Sequence, residues 1–203
     1  MIELIIVRHG QSVGDIENRF EGRADLPLTQ LGKDQAQKLA DWLSTKYKFD
    51  KIVSSPLSRA SETAKIIGNK LNLDISLDDR LMEYNKGVID GLLKEEADKK
   101  YPIPEGGRKY YERIEKGESL IDLRARAEEF LAELVGNVKK DNVDKKLLIV
   151  SHGSLISQLL KSFLKLPMDS KVHFSTGDTG VHSLKIYNND RIVITTNMQQ
   201  HLL

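Results

Sequence analysis

The run Ile2–Val7, apolar and β-branched apart from Glu3, ends directly on Arg8-His9-Gly10. A strand this apolar has to be covered on both faces, which is the setting of a parallel sheet inside an α/β fold. Lys146–Val150 repeats the pattern and ends on Ser151-His152-Gly153. Lys51–Ser54 reads as a third buried strand and Ile75–Leu77 as a short fourth. Helical periodicity fills the gaps. Ala36, Leu39, Ala40, Leu43 and Tyr47 recur at helical spacing. Ser55-Pro56 reads as an N-cap and first-turn pair opening a helix to about Leu71, with Ala60, Thr63, Ala64 and Ile67 inward. Ala127, Phe130, Leu131, Leu134, Val135 and Val138 form the clearest stripe. Leu155, Ile156, Leu159, Leu160, Phe163 and Leu164 make a helix apolar on most sides. Val181–Tyr187 and Arg191–Thr196, around Asn188-Asn189-Asp190, read as a closing hairpin. The alternation predicts an α/β fold: a three-layer α/β/α sandwich with a mostly parallel central sheet.

At 203 residues the expectation is a single domain spanning 1–203. The stretch 84–119 differs from the rest. It is polar, carries Tyr84, Tyr101, Tyr110 and Tyr111, and is broken by Pro102, Pro104 and Gly106-Gly107. It reads as a small helical cap insert, against the plainer reading of a solvated connection. No repeats or low-complexity tracts stand out.

Composition removes several classes of function. The chain has no cysteine, which excludes disulfides, thiolate metal sites and thiol-based phosphatases. Thirty-one Lys and Arg stand against 30 Asp and Glu, so net charge makes no case for nucleic acid or membrane partners. The apolar runs are too short to span a bilayer, and the first residues do not read as a secretion signal. A cytoplasmic protein is expected.

In parallel sheets, sites form beyond the carboxyl ends of the strands. Three such ends here carry Arg8-His9, Arg59 and His152. Each residue alone has a bland reading: a structural histidine at a strand end, or a surface arginine in a first helical turn. Together, two arginines and two histidines at one edge call for an oxyanion, and tetrahedral phosphate fits their donors. The glycine after each histidine is expected to let a ligand approach the backbone.

Leu4–Ser12 (LIIVRHGQS) resembles the signature of the histidine phosphatase superfamily, the phosphoglycerate mutase-like group. The likeness continues through Asn18–Thr29 (NRFEGRADLPLT) with Gly32, Ser54–Ala64 (SSPLSRASETA), Leu81–Gly91 (LMEYNKGVIDG), Gly117-Glu118-Ser119 with Arg126, and Val150–Gly153 (VSHG), in family order. The resemblance implies a phosphatase-type member that needs no metal and no cofactor. His9 would be the nucleophile and form a phosphohistidine. Arg8, Arg59 and His152 would bind the phosphoryl oxygens, and Glu83 would serve as acid and then base. It also brings Glu21 and Gly22 to the phosphate and substrate side.

The chemistry of phosphoryl transfer suits this set, because positioning and charge stabilisation dominate it. A backbone carbonyl on one ring nitrogen of His9 is expected, to hold the ring in one tautomer. Asp15 stands where the family often has Asn; it is a phosphate-side candidate, either protonated, turned away or bonded to an arginine. Gln11 replaces a commoner Glu. His173, His182 and His201 match no motif, and His182 shares a strand face with Leu184 and Ile186, which favours a structural role. No H-x-H or H-E-x-x-H spacing points to a metal.

The same residues serve hydrolysis and mutase chemistry. Gly117 lies only 34 positions beyond Glu83, and the insert offers Arg108-Lys109 and Lys94 as a partial match to the basic groups of mutases. Hydrolysis is therefore the expectation: a phosphomonoesterase for small phosphorylated metabolites such as a sugar phosphate, a phosphoglycerate or an α-ribazole phosphate-like ester. The alternatives are a phosphoglycerate mutase or a non-catalytic phospholigand-binding module. Lys86, Lys94, Arg108, Lys109, Tyr110 and Tyr111 are the substrate-side candidates. The expected partner is a small phosphomonoester, with a homodimer left open.

Overall fold

Parallel pairing brings the four apolar runs together. The computed structural model describes residues 1–141, 143–188 and 190–203, with the side chains at 139–141 outside the description. Strands β1 (Ile2–Arg8), β2 (Lys51–Ser54), β3 (Ile75–Leu77) and β4 (Lys145–Ser151) join β5 (Val181–Tyr187) and β6 (Asp190–Met198) in a six-stranded sheet of order β3-β2-β4-β1-β5-β6. The β3-β2, β2-β4 and β4-β1 pairs are parallel, and β5 is antiparallel to both neighbours. Only β5 therefore runs against the rest, and the sheet is mostly parallel.

Alternate residues feed two cores. Leu4, Ile6, Leu147, Ile149 and Leu184 face α5 (Leu120–Asp141) and α6 (Gly153–Phe163), meeting Ala127, Phe130, Leu155, Leu159 and Phe163. Ile5, Val7, Ile52, Leu148 and Val150 face α2 (Gln30–Lys46) and α3 (Ser58–Leu71), meeting Leu39, Leu43, Ala60, Ala64 and Ile67. The result is the expected three-layer sandwich. No helix among the described residues is long and apolar enough to cross a membrane.

Helix α3 starts at Ser58, not at the expected Ser55-Pro56. Ser55 instead prolongs the β2–β4 ladder, donating its N–H to Val150 O at 3.0 Å. The helix end is capped from elsewhere: the Asp25 carboxylate accepts from Ser58 N at 2.6 Å and Ser58 Oγ at 2.9 Å. The closing hairpin is present, with Tyr187 opposite Asp190; its expected turn residue Asn189 lies outside the described residues.

Segment 84–119 is less helical than its composition suggested. Its regular parts are a single 3₁₀ turn at Gly87–Ile89 and the seven-residue α4 (Lys94–Lys100). Prolines and glycines prevent longer helices. Backbone bonds stitch it to the segment after α1 (Val13–Ile16): Phe20 N to Leu92 O, Gly91 N to Phe20 O and Lys94 N to Asn18 O.

His182 is structural, as its strand position suggested. It is wholly buried, with Nε2 2.9 Å from Thr176 Oγ1 and Nδ1 accepting from Asn197 N at 3.3 Å. Burial pushes its pKa down to about 4. The unfolded chain binds this proton below about pH 6.5 while the folded one does not, so stability falls as pH drops from about 6.5 to about 4. The loss from this ring is on the order of 3 kcal/mol at the acid end. Replacing it by His182→Gln should make the fall in urea midpoint between pH 7 and 4.5 measurably shallower than in the parent protein.

Candidate active site

The β1–β4 register pairs Arg8 with Ser151, so His9 and His152 step off the sheet side by side. Their ring centroids are 5.1 Å apart and both rings are buried. His9 Nδ1 lies 2.7 Å from Gly10 O, the backbone carbonyl contact expected of it. A carbonyl only accepts, so Nδ1 carries the proton of the neutral ring and Nε2 keeps its lone pair. Burial, with Arg8 and Arg59 nearby, holds the His9 pKa well below the ordinary histidine value. His152 is lowered in the same way, first by burial and then by Arg59. Its Nε2 sits 2.8 Å from Ser55 Oγ, while its buried Nδ1 has no partner.

Arg59, fully buried, donates Nη1 to Ala24 O at 2.9 Å and Nη2 to Gly22 O at 2.8 Å. Its Nε is 3.4 Å from Glu21 Oε1. Gly22 is at φ +46, and a Cβ there would lie 1.6 Å from Asp90 Oδ1, so only glycine fits. Arg8 donates to Thr176 O and to Asp15 Oδ1, each at 3.0 Å, and lies 3.3 Å from Asp178. Asp15 is thus bonded to an arginine. Its other oxygen accepts Ser12 N at 2.9 Å, closing the capping box of α1. Glu21 accepts a hydrogen bond from Ser12 Oγ and lies 4.0 Å from His9 Nε2. Burial raises its carboxyl pKa, against the opposing pull of Arg59.

The N-terminus of α6 holds Glu83. Its Oε1 accepts from Tyr84 N at 2.7 Å and Leu155 N at 3.2 Å, and Oε2 from Ser154 N at 3.1 Å. Arg126 clamps the preceding turn, donating to Arg80 O at 2.7 Å, Met82 O at 2.5 Å and Glu83 O at 2.9 Å. It also pairs with Glu118 at 2.7 Å, which in turn accepts Asn85 N at 2.8 Å. Gly87, at φ +61, faces Glu115 O so closely that a Cβ would lie 1.9 Å from it. Arg126, Glu118 and the close approach at Gly87 thus fix the course of the segment Leu81–Gly91 that carries Glu83.

Arg8, His9, Glu21 and Glu83 line one cavity of about 430 Å³, and Arg59 and His152 are buried at the same edge. A second cavity of about 260 Å³, sharing Tyr84 and Leu120, takes in Phe20, Lys86, Arg108 and Lys109. There Lys86 Nζ stands 4.3 Å from the Phe20 ring centroid, and burial lowers its pKa. Lys94 is exposed on α4 and lines neither cavity. Tyr110 is turned away as well: its carbonyl accepts Ile121 N at 3.1 Å, and its ring lines a separate hollow with Arg124 and Met168. Tyr111 is 60% exposed.

Gly10 has a different reason for being glycine. A Cβ on it would lie 2.3 Å from Gly32 O, and one on Gly32 would lie 2.0 Å from Gln11 O, so this pair serves close chain packing, not ligand approach. Gly153 does face open space at the cavity. The sequence reading missed His173, Ser157, Gln158 and Lys161 on the cavity wall. The polar positions 154, 157, 158 and 161, at helical spacing within an apolar helix, were the available signal.

Comparison with known proteins matches residues 4–199 to the histidine phosphatase superfamily (branch 1). Phosphoserine phosphatase 1 of Hydrogenobacter thermophilus is 31% identical, over 100% of this chain and 95% of its own. The probable phosphoglycerate mutase GpmB of Escherichia fergusonii is 34% identical over 82% of this chain and 77% of its own. Among solved structures, mycobacterial glucosyl-3-phosphoglycerate phosphatase, determined as complexes with VO3, superposes with a TM-score of 0.84 at 30% identity, covering 96% of this chain and 98% of that one.

The two histidine-flanking glycines should respond differently to alanine. Gly10→Ala forces backbone apart and should cost about 3 kcal/mol or more in thermal unfolding. Gly153→Ala should leave Tm within about 2 °C.

Proposed function

Because the chain belongs to the histidine phosphatase superfamily, we propose that it hydrolyses small phosphomonoesters through a phosphohistidine at His9. The observation that carries this reading is the state of His9: a neutral ring, its Nδ1 proton tied to Gly10 O, with Nε2 free at a cavity edge rich in cationic donors. Arg8 Nε and His152 Nδ1 are buried without a hydrogen-bond partner, and Arg59 Nε has only the Glu21 carboxylate at 3.4 Å, which supports the three as donors to the phosphoryl oxygens.

In the first step His9 Nε2 attacks phosphorus, the N–P bond forms and the ester P–O bond breaks. Glu83 gives its proton to the departing alkoxide. Two negative charges side by side repel, so a bound phosphate dianion suits an uncharged carboxyl donor at Glu83 better than a carboxylate. In the second step Glu83, now ionised, takes a proton from water. The oxygen attacks phosphorus, the N–P bond breaks and inorganic phosphate leaves. Asp15 and Glu21 hold Arg8 and Arg59 in place on this reading. Segment 84–119 acts as an insert covering the site within one domain. Lys86, Arg108 and Lys109 are the insert residues best placed for the leaving group.

Phosphoglycerate mutase chemistry is the alternative, supported by the similarity to the mutase-named relative. The shortness of 84–119 favours water as the acceptor. A cytoplasmic setting, and a homodimer as the assembly to look for, belong to the same reading.

His9→Ala should lower kcat for p-nitrophenyl phosphate by about 1000-fold or more; wild-type turnover would remove the nucleophile assignment. The phosphoenzyme trapped on the parent protein should be acid-labile and alkali-stable. Glu83→Gln should slow alkyl phosphates about 100-fold more than p-nitrophenyl phosphate, whose leaving group needs no proton. Equal losses on both would take Glu83 out of the acid role. Assaying 3-phosphoglycerate for released phosphate and for isomerisation separates hydrolysis from mutase action.

A further inference from the structure

We infer that Lys161 anchors a second anionic group on the substrate, so that the preferred phosphomonoester carries a carboxylate or a further phosphate on its alcohol portion. The inference rests on the hydrolase reading above and adds the substrate class.

Helix α6 is buried and apolar on most sides, yet Ser154, Ser157, Gln158 and Lys161 share one of its faces. That face is a wall of the cavity containing His9 and Glu83. Ser154 in the first turn holds Glu83, and Lys161 stands seven residues further on, about 10 Å along the axis. Lys161 itself lines that cavity, together with His173 and Phe174 of the loop that follows the helix. The cavity thus has a phosphoryl end and a second cationic end.

Lys161 is only 8% exposed. An ammonium drawn partly out of water gains from an opposite charge or further acceptors that offset its lost hydration. Here its hydrogen bond goes to one carbonyl, Ser170 O, at 3.3 Å, and no carboxylate of the described residues lies within 4.0 Å of it. The charged neighbour that acts on it is Arg124, also cationic and already paired with Glu128. Burial, followed by Arg124, lowers the Lys161 pKa. One turn back, Gln158 Oε1 is buried without a partner. An incoming anion supplies the charge that Lys161 lacks, and a hydroxyl or ammonium beside that anion would satisfy Gln158. The exposed His173 imidazole adds a donor to the same cavity. Nothing in the phosphoryl-transfer steps uses any of these groups.

The test compares substrates that differ only at the second group. 3-Phosphoglycerate and glycerol 3-phosphate exchange a carboxylate for a neutral hydroxymethyl. Fructose 1,6-bisphosphate and fructose 6-phosphate differ by a second phosphate. The parent protein should favour the anionic member of one pair by about 10-fold or more in kcat/KM, and the pair concerned identifies the anion. Lys161→Met should collapse that ratio toward one, mainly through KM, while Lys161→Arg keeps most of it. Thermal unfolding of both variants checks that they are folded. If p-nitrophenyl phosphate is turned over but the ratio is absent, or survives in folded Lys161→Met, the inference is overturned. If no ester is hydrolysed at all, the hydrolase reading fails separately. Calorimetric binding of 3-phosphoglycerate, glycerol 3-phosphate and the two fructose phosphates to parent and Lys161→Met protein then decides the anion site without turnover.

Discussion

Two guanidinium groups and two imidazoles are packed into one edge of the sheet, and the rest of the local structure answers the repulsion this creates. The histidines answer it by staying neutral, since burial and the arginines disfavour a proton on either ring. The arginines are matched by Asp15, Asp178 and Glu21 and by the carbonyls of Gly22, Ala24 and Thr176. Asp15 comes from the single turn of α1, and Glu21 and Asp178 from loops. The charge cluster therefore orders its own surroundings, and the strand register that sets Arg8 opposite Ser151 brings it into being.

Much of this was readable from residue order. Buried parallel strands leave an apolar run, and a polar triplet at the end of such a run has few places to go except the carboxyl edge of the sheet. That logic set His9 and His152 beside each other at one sheet edge and predicted the three-layer sandwich. It failed where the deciding partner is distant in sequence. The start of α3 is set by Asp25, and nothing in Ser55-Pro56 announces it. Asp15 could not be assigned before its contact with Arg8 was seen, because a carboxylate and an arginine in one cluster are compatible with several arrangements.

The remaining differences concern surfaces, not the core. Tyr110 looked suitable for a substrate because aromatic and basic residues cluster around it, but its carbonyl is tied to Ile121 N and it lines a hollow with Ile121, Arg124 and Ala125 of α5 instead of either cavity. His173 sits in a loop without periodicity, so no pattern could bring it to the cavity. Lys161 was hidden by its company: in a helix read as apolar on most sides, a lysine is easily passed over as a solvent-reaching stem.

Arg59 grips the carbonyls of Gly22 and Ala24 from a position with no solvent exposure, so the group proposed to bind phosphate is also a rivet between α3 and the loop ahead of it. Changing it would disturb shape and chemistry together. The polar face of α6 and the 84–119 segment carry no such double duty: they line the two cavities without gripping the oxyanion edge. A replacement there changes the shape and charge of the space beside the arginines and leaves the arginines themselves where they are.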